Sequence, residues 1–352
     1  MQMPEFRRPG LVPLQYKYNH TPYQPFDLSG IKVVDQTQVN TNSTTRVTLK
    51  SYTVPNNSAI TKARIRLYVH IISYNGNWYL NINGTDVASG TQTSATKTLV
   101  VDQVFNVSAG QVIKVDGYTT VSGGYIYVDE VDIIYAGVIL NSLTEVTLFS
   151  TTLTYTESGV DNQYVFAGDK VPTCYIKYHR KTTAAATLKF DVTTNNPAAA
   201  DDGTAIQVVQ IDGTHINTNN LAVALTGYVG ASGDYILIVA VTMAVRHQYK
   251  HLDPWSPGWN ENVFILYPNT LFYILAQKYS FFTLDGSSQE LQISGIMSDG
   301  VTYYAYWYVS GANATGTTPD YNVVETGVNI RMYGAGTVAI ITKLEISIAV
   351  AK

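Results

Sequence analysis

The side chains that could do chemistry are few and scattered. Asp129, Glu130 and Asp132 stand together in the run GGYIYVDEVDIIY at residues 123–135. A carboxylate pair is what glycoside hydrolysis uses, but a sequence does not give the separation that reaction depends on. Adjacent acids on an edge strand would instead keep that edge from pairing with another chain. Asp201-Asp202-Gly203 shares a fragment of a calcium loop, lacks its alternating ligands and closing glutamate, and reads as an acidic turn. His247, His251 and Asp253 would share a metal ion only on a helix; Pro254 and the surrounding β pattern argue against one and leave solvent-exposed histidines. No Gly-x-Ser-x-Gly elbow, phosphate loop or dinucleotide fingerprint occurs. The single cysteine, Cys174, excludes an intrachain disulfide and reads as a small buried hydrophobe. The expectation is a protein without catalytic residues, cofactor or metal.

Residues suited to contact are more abundant. Residues 1–30 carry five prolines among aromatic side chains and the basic pair Arg7 and Arg8. Such proline density disfavours helix and central strand alike. The segment reads either as a solvated tail or as an extended arm, and its apolar content favours an arm lying along its own domain or a neighbouring subunit. Arg7, Arg8, Pro9, Leu11, Tyr16 and Tyr18 are its candidate docking residues, and removing residues 1–29 is expected to spare folding and abolish assembly. Tyr303, Tyr304, Tyr306, Trp307 and Tyr308 form one aromatic run with both faces of a strand aromatic, and Trp255 and Trp259 sit in a proline-containing linker. Either the run is covered on both sides within its own domain, or one face is left for a ligand or partner. Asn42, Asn56, Asn83 and Asn106 begin Asn-x-Ser/Thr sequences, as do Asn19 and Asn313, so an N-glycosylation system would modify mainly the first domain.

The elements that must position these residues are strands. Three long stretches close on a similar pattern after a glycine turn, at residues 123–135, 233–245 and 336–350. Each reads as the closing strand of one β domain. In the last, Leu344, Ile346, Ile348 and Val350 alternate with Lys343, Glu345, Ser347 and Ala349; the middle copy alternates more weakly. Between residues 31 and 140, strands are expected at 31–39, 45–54, 63–72, 78–82, 98–107, 112–119 and 125–135, with a hairpin turn at Asn83-Gly84. In the second of the well-patterned runs Ile65, Leu67, Val69 and Ile71 face inward, and Arg64, Arg66, Tyr68 and His70 outward. Further strands are expected at 145–155, 164–166, 174–178, 187–193, 205–211, 221–228 and 235–246. The organisation is an arm at 1–30, β-sandwiches or jelly rolls at 31–140, 143–247 and 262–352, and a linker at 248–261. In the alternative, 143–352 is one larger β domain.

Composition bounds the function classes. The 352 residues suffice for several domains that each bury a core. Charged residues are 14%, well below the roughly 25% of soluble proteins, and 27 tyrosines with many threonines and asparagines replace them. That neutral, hydroxyl-rich surface suits packing against protein or sugar. A net charge of −4 argues against a nucleic-acid binder. The opening residues do not form a secretory signal, and no apolar run is long enough to span a membrane.

Tandem β-sandwiches, a proline-rich arm, low charge and abundant Tyr, Thr and Asn together resemble the structural proteins of archaeal icosahedral viruses of hot, acidic springs. In that family tandem jelly rolls build capsid hexons or the turrets over fivefold vertices. The resemblance is architectural and covers the whole chain. It implies a non-enzymatic virion protein assembled in the host cytoplasm, with copies of itself and other virion proteins as partners. The near absence of helix departs from the double jelly-roll hexon and favours a turret, spike or other vertex component. The alternative is a carbohydrate-binding or adhesive protein at a cell surface, with exposed aromatic rings as platforms for host glycans.

Overall fold

The computed structural model describes residues 11–159, 169–214, 220–248, 272–283, 289–296, 303–311, 313–317, 321–325, 327–333 and 339–351. Among these residues there is no helix; the chain is all-β and every strand pair is antiparallel. The N-terminal segment forms β1 (Leu11–His20) and β2 (Tyr23–Asp27). There follow β3 (Lys32–Asp35), β4 (Val39–Thr41), β5 (Val47–Thr53), β6 (Lys62–Ile72), β7 (Gly76–Ile82), β8 (Thr85–Gln92), β9 (Thr98–Asn106), β10 (Val112–Thr119) and β11 (Tyr125–Ala136). A second set comprises β12 (Val138–Leu140), β13 (Val146–Gly159), β14 (Asp169–Lys181), β15 (Thr187–Phe190), β16 (Thr193–Asn195), β17 (Gln207–Asp212), β18 (Asn220–Tyr228) and β19 (Tyr235–Gln248). The last set is β20 (Phe272–Thr283), β21 (Gln289–Ile296), β22 (Tyr303–Gly311), β23 (Asn313–Thr317), β24 (Tyr321–Glu325), β25 (Gly327–Tyr333) and β26 (Ala339–Ala351).

The strand order is that of a jelly roll. If β3 and β4 are taken as one interrupted first strand, since both pair with β11, the first set forms one sheet in the order 1-8-3-6 (β3-β11-β6-β9). Its second sheet runs 2-7-4-5 (β5-β10-β7-β8). The second set repeats both orders, as β12-β19-β14-β17 and β13-β18-β15-β16. The third repeats part of them, with β26-β20-β23 in positions 8-3-6 and β25-β21-β22 in positions 7-4-5. The three stretches with a shared closing pattern, β11, β19 and β26, thus all occupy the eighth position.

Local chemistry explains the turns that feed these strands. Asn83 and Gly84 both have positive φ (51° and 88°), the primed-turn geometry that matches strand twist, and they join β7 to β8. Gly123 and Gly233 have φ of 89° and 86° in equivalent turns. There the N–H of Gly124 donates to Val121 and that of Asp234 to Ala231, each at 3.3 Å. Ser43 and Ser142 precede the second strand of each of the first two rolls. Each hydroxyl accepts the N–H of the threonine two residues on, at 3.1 and 3.2 Å, and each serine carbonyl accepts the N–H of Thr119 or Val229 at 2.8 Å.

Several expectations need correction. Residues 31–39 are not one strand: the Asp35 side chain caps Thr37 N–H at 3.0 Å and breaks the run into β3 and β4. The run 187–193 breaks likewise at Asp191, whose φ is +55°. The mostly exposed return strand β8 has too few apolar residues to show a pattern. Expected strand 164–166 lies outside the described residues. The largest correction concerns the arm. Despite Pro13, β1 is an interior strand, paired from Leu11↔Ala351 to Asn19↔Lys343 with β26 and from Tyr16↔Gly159 to His20↔Tyr155 with β13. Pro13 lies opposite Ala349 of β26.

β1 therefore stands beside β26 in position one of the third set, and links it to β13 of the second. The result is one nine-stranded sheet, β16-β15-β18-β13-β1-β26-β20-β23 with β24 beside β20. Two apolar clusters form the described core. One fills the second roll and includes Tyr279 of β20. The other fills the first roll and includes Tyr235, Leu237 and Val239 of β19. β19 is buried on both faces: Ile236, Ile238, Val241, Met243 and Val245 enter its own core while the alternate residues face the first roll. That double burial is why its sequence alternates weakly.

Candidate functional site

No cluster of three or more His, Cys, Asp or Glu side chains that could hold a metal occurs among the described residues. Titratable and aromatic groups gather instead at several places, among them the N-terminal seam, the joint between the first two rolls, and the outer face of the first roll.

At the seam, β1 ends on His20, a buried ring with both nitrogens engaged. Nε2 accepts the Val245 N–H at 3.0 Å and Nδ1 faces the Thr154 carbonyl at 3.4 Å. These partners fix a neutral ring with its proton on Nδ1. Burial pushes its pKa down to about 4, against a smaller upward pull from the Thr154 carbonyl. The chain then continues through Thr21 and Pro22 into β2, which pairs with β19 from Met243↔Tyr23 to Ala240↔Asp27. Phe26 packs against both apolar clusters and tilts at 57° against Phe149, ring centroids 5.9 Å apart. It fits because Gly137 lies under it: a Cβ there would come within 2.5 Å of the ring. Leu28 is buried in the first core and its N–H donates to the Val239 carbonyl at 2.7 Å. Residues 1–29 therefore include an interior strand and core side chains. Their removal would open the structure, contrary to the expectation that folding survives it.

At the joint, Arg64 of β6 points out of its own roll but not into solvent, for its side chain is fully buried. Its Nε and one terminal nitrogen hold both oxygens of Asp102 at 2.8 and 2.9 Å; it also reaches Asp201 at 2.8 Å and the Gly203 carbonyl at 3.3 Å, and lies over the Tyr235 ring. Lys181 of the second roll returns to Asp102 at 2.7 Å. Burial raises the Asp102 carboxyl, and Arg64 and Lys181 more than offset this and hold it below its ordinary range. Asp202 engages Arg180. The acidic turn Asp201-Asp202-Gly203 is thus half of an inter-roll clamp.

On the outer face of the first roll, the three acids of β11 come together through a bulge. Val128 pairs with Val69 and Glu130 with Tyr68, which leaves Asp129 unpaired. Inward alternation through Ile126 and Val128 consequently resumes at Val131 and Ile133, and Asp129, Glu130 and Asp132 share the outer face. β11 is interior to its sheet, so these acids do not guard an edge as expected. Asp129 accepts from Gln38 at 2.7 Å and meets His70 Nδ1 at 2.8 Å, while the His70 ring stacks on Tyr127 at 4.4 Å. Glu130 is paired with Lys97, which holds its pKa down. Asp132 is nearly inaccessible and lies 3.5 Å from Arg66. Burial first and Glu130 second raise its pKa, and Arg66 only partly opposes them.

The remaining predicted residues fall as follows. Leu11, Tyr16 and Tyr18 lie on β1; Arg7, Arg8, Pro9, Trp255 and Trp259, with His251 and Asp253, lie outside the described residues. His247 lies on strand β19. Tyr303, Tyr304, Tyr306, Trp307 and Tyr308 lie on β22, at the end of the order β22-β21-β25, with the register shifting at Tyr306. Asn42, Asn56, Asn83 and Asn106 are all exposed. Cys174 is buried. Sequence reasoning missed His20, Phe26, Leu28 and the Arg64 clamp. The sequence Asn-Ser-x-Thr recurs at Asn42-Ser43-Thr44-Thr45 and Asn141-Ser142-Leu143-Thr144 and marks equivalent corners of two rolls.

No protein-family model matches the chain, and no curated protein matches it. Two solved structures align with most of its length. One is reported under the heading of the triple jelly roll fold and turret assembly in an archaeal virus. It is 10% identical with a TM-score of 0.18, and the alignment covers 89% of this chain and 90% of that one. The other, from the atomic structure of Sulfolobus turreted icosahedral virus, is 10% identical with a TM-score of 0.17, covering 89% and 91%. At these TM-scores neither superposition carries an argument about function.

Proposed function

We propose that this chain is a non-enzymatic structural protein of a virion, one that self-assembles through its β rolls into a capsid, turret or vertex complex. The observation that supports the reading is the recurrence of one jelly-roll strand order along the chain, tied together by a strand shared between sets. Jelly rolls of this kind build viral shells and lectins, so the argument is one of architecture, an analogy of fold. The polar groups at the seam and the charged groups at the joint are consumed in holding rolls to each other. The division into three rolls and a linker belongs to the same proposal, as do other virion proteins as partners and the virion as location.

The test is molar mass by light scattering over a range of concentration and from acidic to neutral pH. A closed ring or larger particle of defined stoichiometry is the expected result. A monomer under every condition overturns the reading. The adhesive alternative draws on the stacked rings of Tyr79 and Tyr118 and of His70 and Tyr127 on the first roll; in that event a glycan array gives saturable binding that Tyr127→Ala weakens.

A further inference from the structure

We propose that the β1–β26 ladder is the seam through which copies of the chain join, β1 of one copy pairing with β26 of the next. The proposal rests on the assembly reading above and deepens it by naming the surface and its occupant. In the first two rolls the strand in position one runs through a short corner into strand two, from Thr41 to Val47 and from Leu140 to Val146. The third set differs. Its position one is held by a strand that ends at His20, whereas the next described strand of that set starts at Phe272. No short corner ties β1 to the sheet it completes.

What does anchor β1 is the second roll. Five residues pair with β13, and the His20 ring is fastened to Val245 and Thr154. The second roll therefore presents the other edge of β1 as a ready template, and β26 meets it through nine register pairs. Backbone ladders of this kind carry little sequence identity, and strand addition to a sheet edge is a general mode of protein recognition. The same ladder forms whether β26 comes from the same chain or from a second copy. The two arrangements then differ by the effective concentration of the tethered partner, on the order of millimolar for a flexible tether, and by whatever further contacts a closed assembly adds. Exchange makes the interface head-to-tail, the kind that closes into a ring when the rotation permits.

The test uses the register. Tyr18 lies opposite Leu344 and Val12 opposite Val350. Full-length Tyr18→Cys and Leu344→Cys chains bearing different tags are co-expressed, the oligomer is isolated, and mild oxidation is followed by denaturing electrophoresis; Cys174 is buried and stays out of the reaction. The Val12→Cys and Val350→Cys pair repeats the measurement should the first pair disturb folding. A disulfide joining the two tagged chains is expected at one or both positions. An oligomer in which neither pair links the two tagged chains overturns the exchange and leaves the assembly reading standing. A monomer at every concentration overturns the assembly reading itself.

Discussion

Acidification should unlatch the N-terminal strand through His20. Both ring nitrogens are committed in the neutral form, with Nε2 accepting the Val245 N–H, so a proton on Nε2 would set two donors against each other in a buried site. The folded-state pKa is about 4 against 6.5 for the free side chain. Because the folded value is the lower one, the unfolded chain binds the extra proton. The stabilisation is complete above the unfolded pKa of 6.5 and falls as pH drops towards 4. Between about pH 7 and about pH 4.5 the loss from this one group is about 2 kcal/mol, since each pKa unit is worth about 1.4 kcal/mol. The assay is urea unfolding of the wild type and His20→Gln at both pH values. His20→Gln should be less stable at neutral pH by about 1 kcal/mol for the lost hydrogen bond, yet lose about 2 kcal/mol less on acidification. His179, whose pKa burial also lowers to about 4, is present in both proteins and cancels from the difference. Equal pH dependence in the two proteins, or an NMR titration of His20 near 6.5, would refute the latch.

Two further substitutions probe the positions that hold the rolls together. Arg64→Ala leaves Asp102 facing Lys181 alone and removes the link to Asp201; a loss of about 3–5 kcal/mol is expected from breaking a buried pair, together with a broader distance distribution between the first two rolls in small-angle scattering. Phe26→Ala removes the partly buried ring shared by both clusters above Gly137 and should cost somewhat less than the roughly 3–5 kcal/mol of a fully buried phenylalanine. In calorimetry it should lower the unfolding of both rolls together, and an effect confined to one would show that Phe26 does not couple them.

What could be read from the residues was what local pattern encodes. Alternation of apolar with polar residues revealed β6 and β26, and Asn83-Gly84 revealed its hairpin because two consecutive left-handed residues favour those types. The closing strands were visible because each follows one or more glycines in the sequence. Where a strand is buried on both faces, as β19 is, the alternation that marks a strand fades into a continuous apolar run. β1 was hidden for a different reason: Pro13 argues locally against an interior strand, and both of the strands it pairs with lie far away in sequence. Asp201 and Arg64 each looked like surface charge, since nothing in either neighbourhood reveals that the two meet across a joint. The gathering of Asp129, Glu130 and Asp132 depended on a single bulge, which shifts facing by one residue and leaves no mark in composition.

The order in which the chain is made gives the shared strand a history. β1 leaves the ribosome before any of its partners, and β26 is the last described strand to follow. At about 5–20 residues per second, the stretch from Asn19 to its opposite residue Lys343 takes roughly 15–65 seconds to synthesise. Through that interval β13 can claim one edge of β1, while the other edge has no partner in its own chain. A neighbouring chain on the same message, further along in its synthesis, can offer a finished β26 first. The long detour between the two strands thus turns the timing of translation into a choice between closing on itself and joining a neighbour.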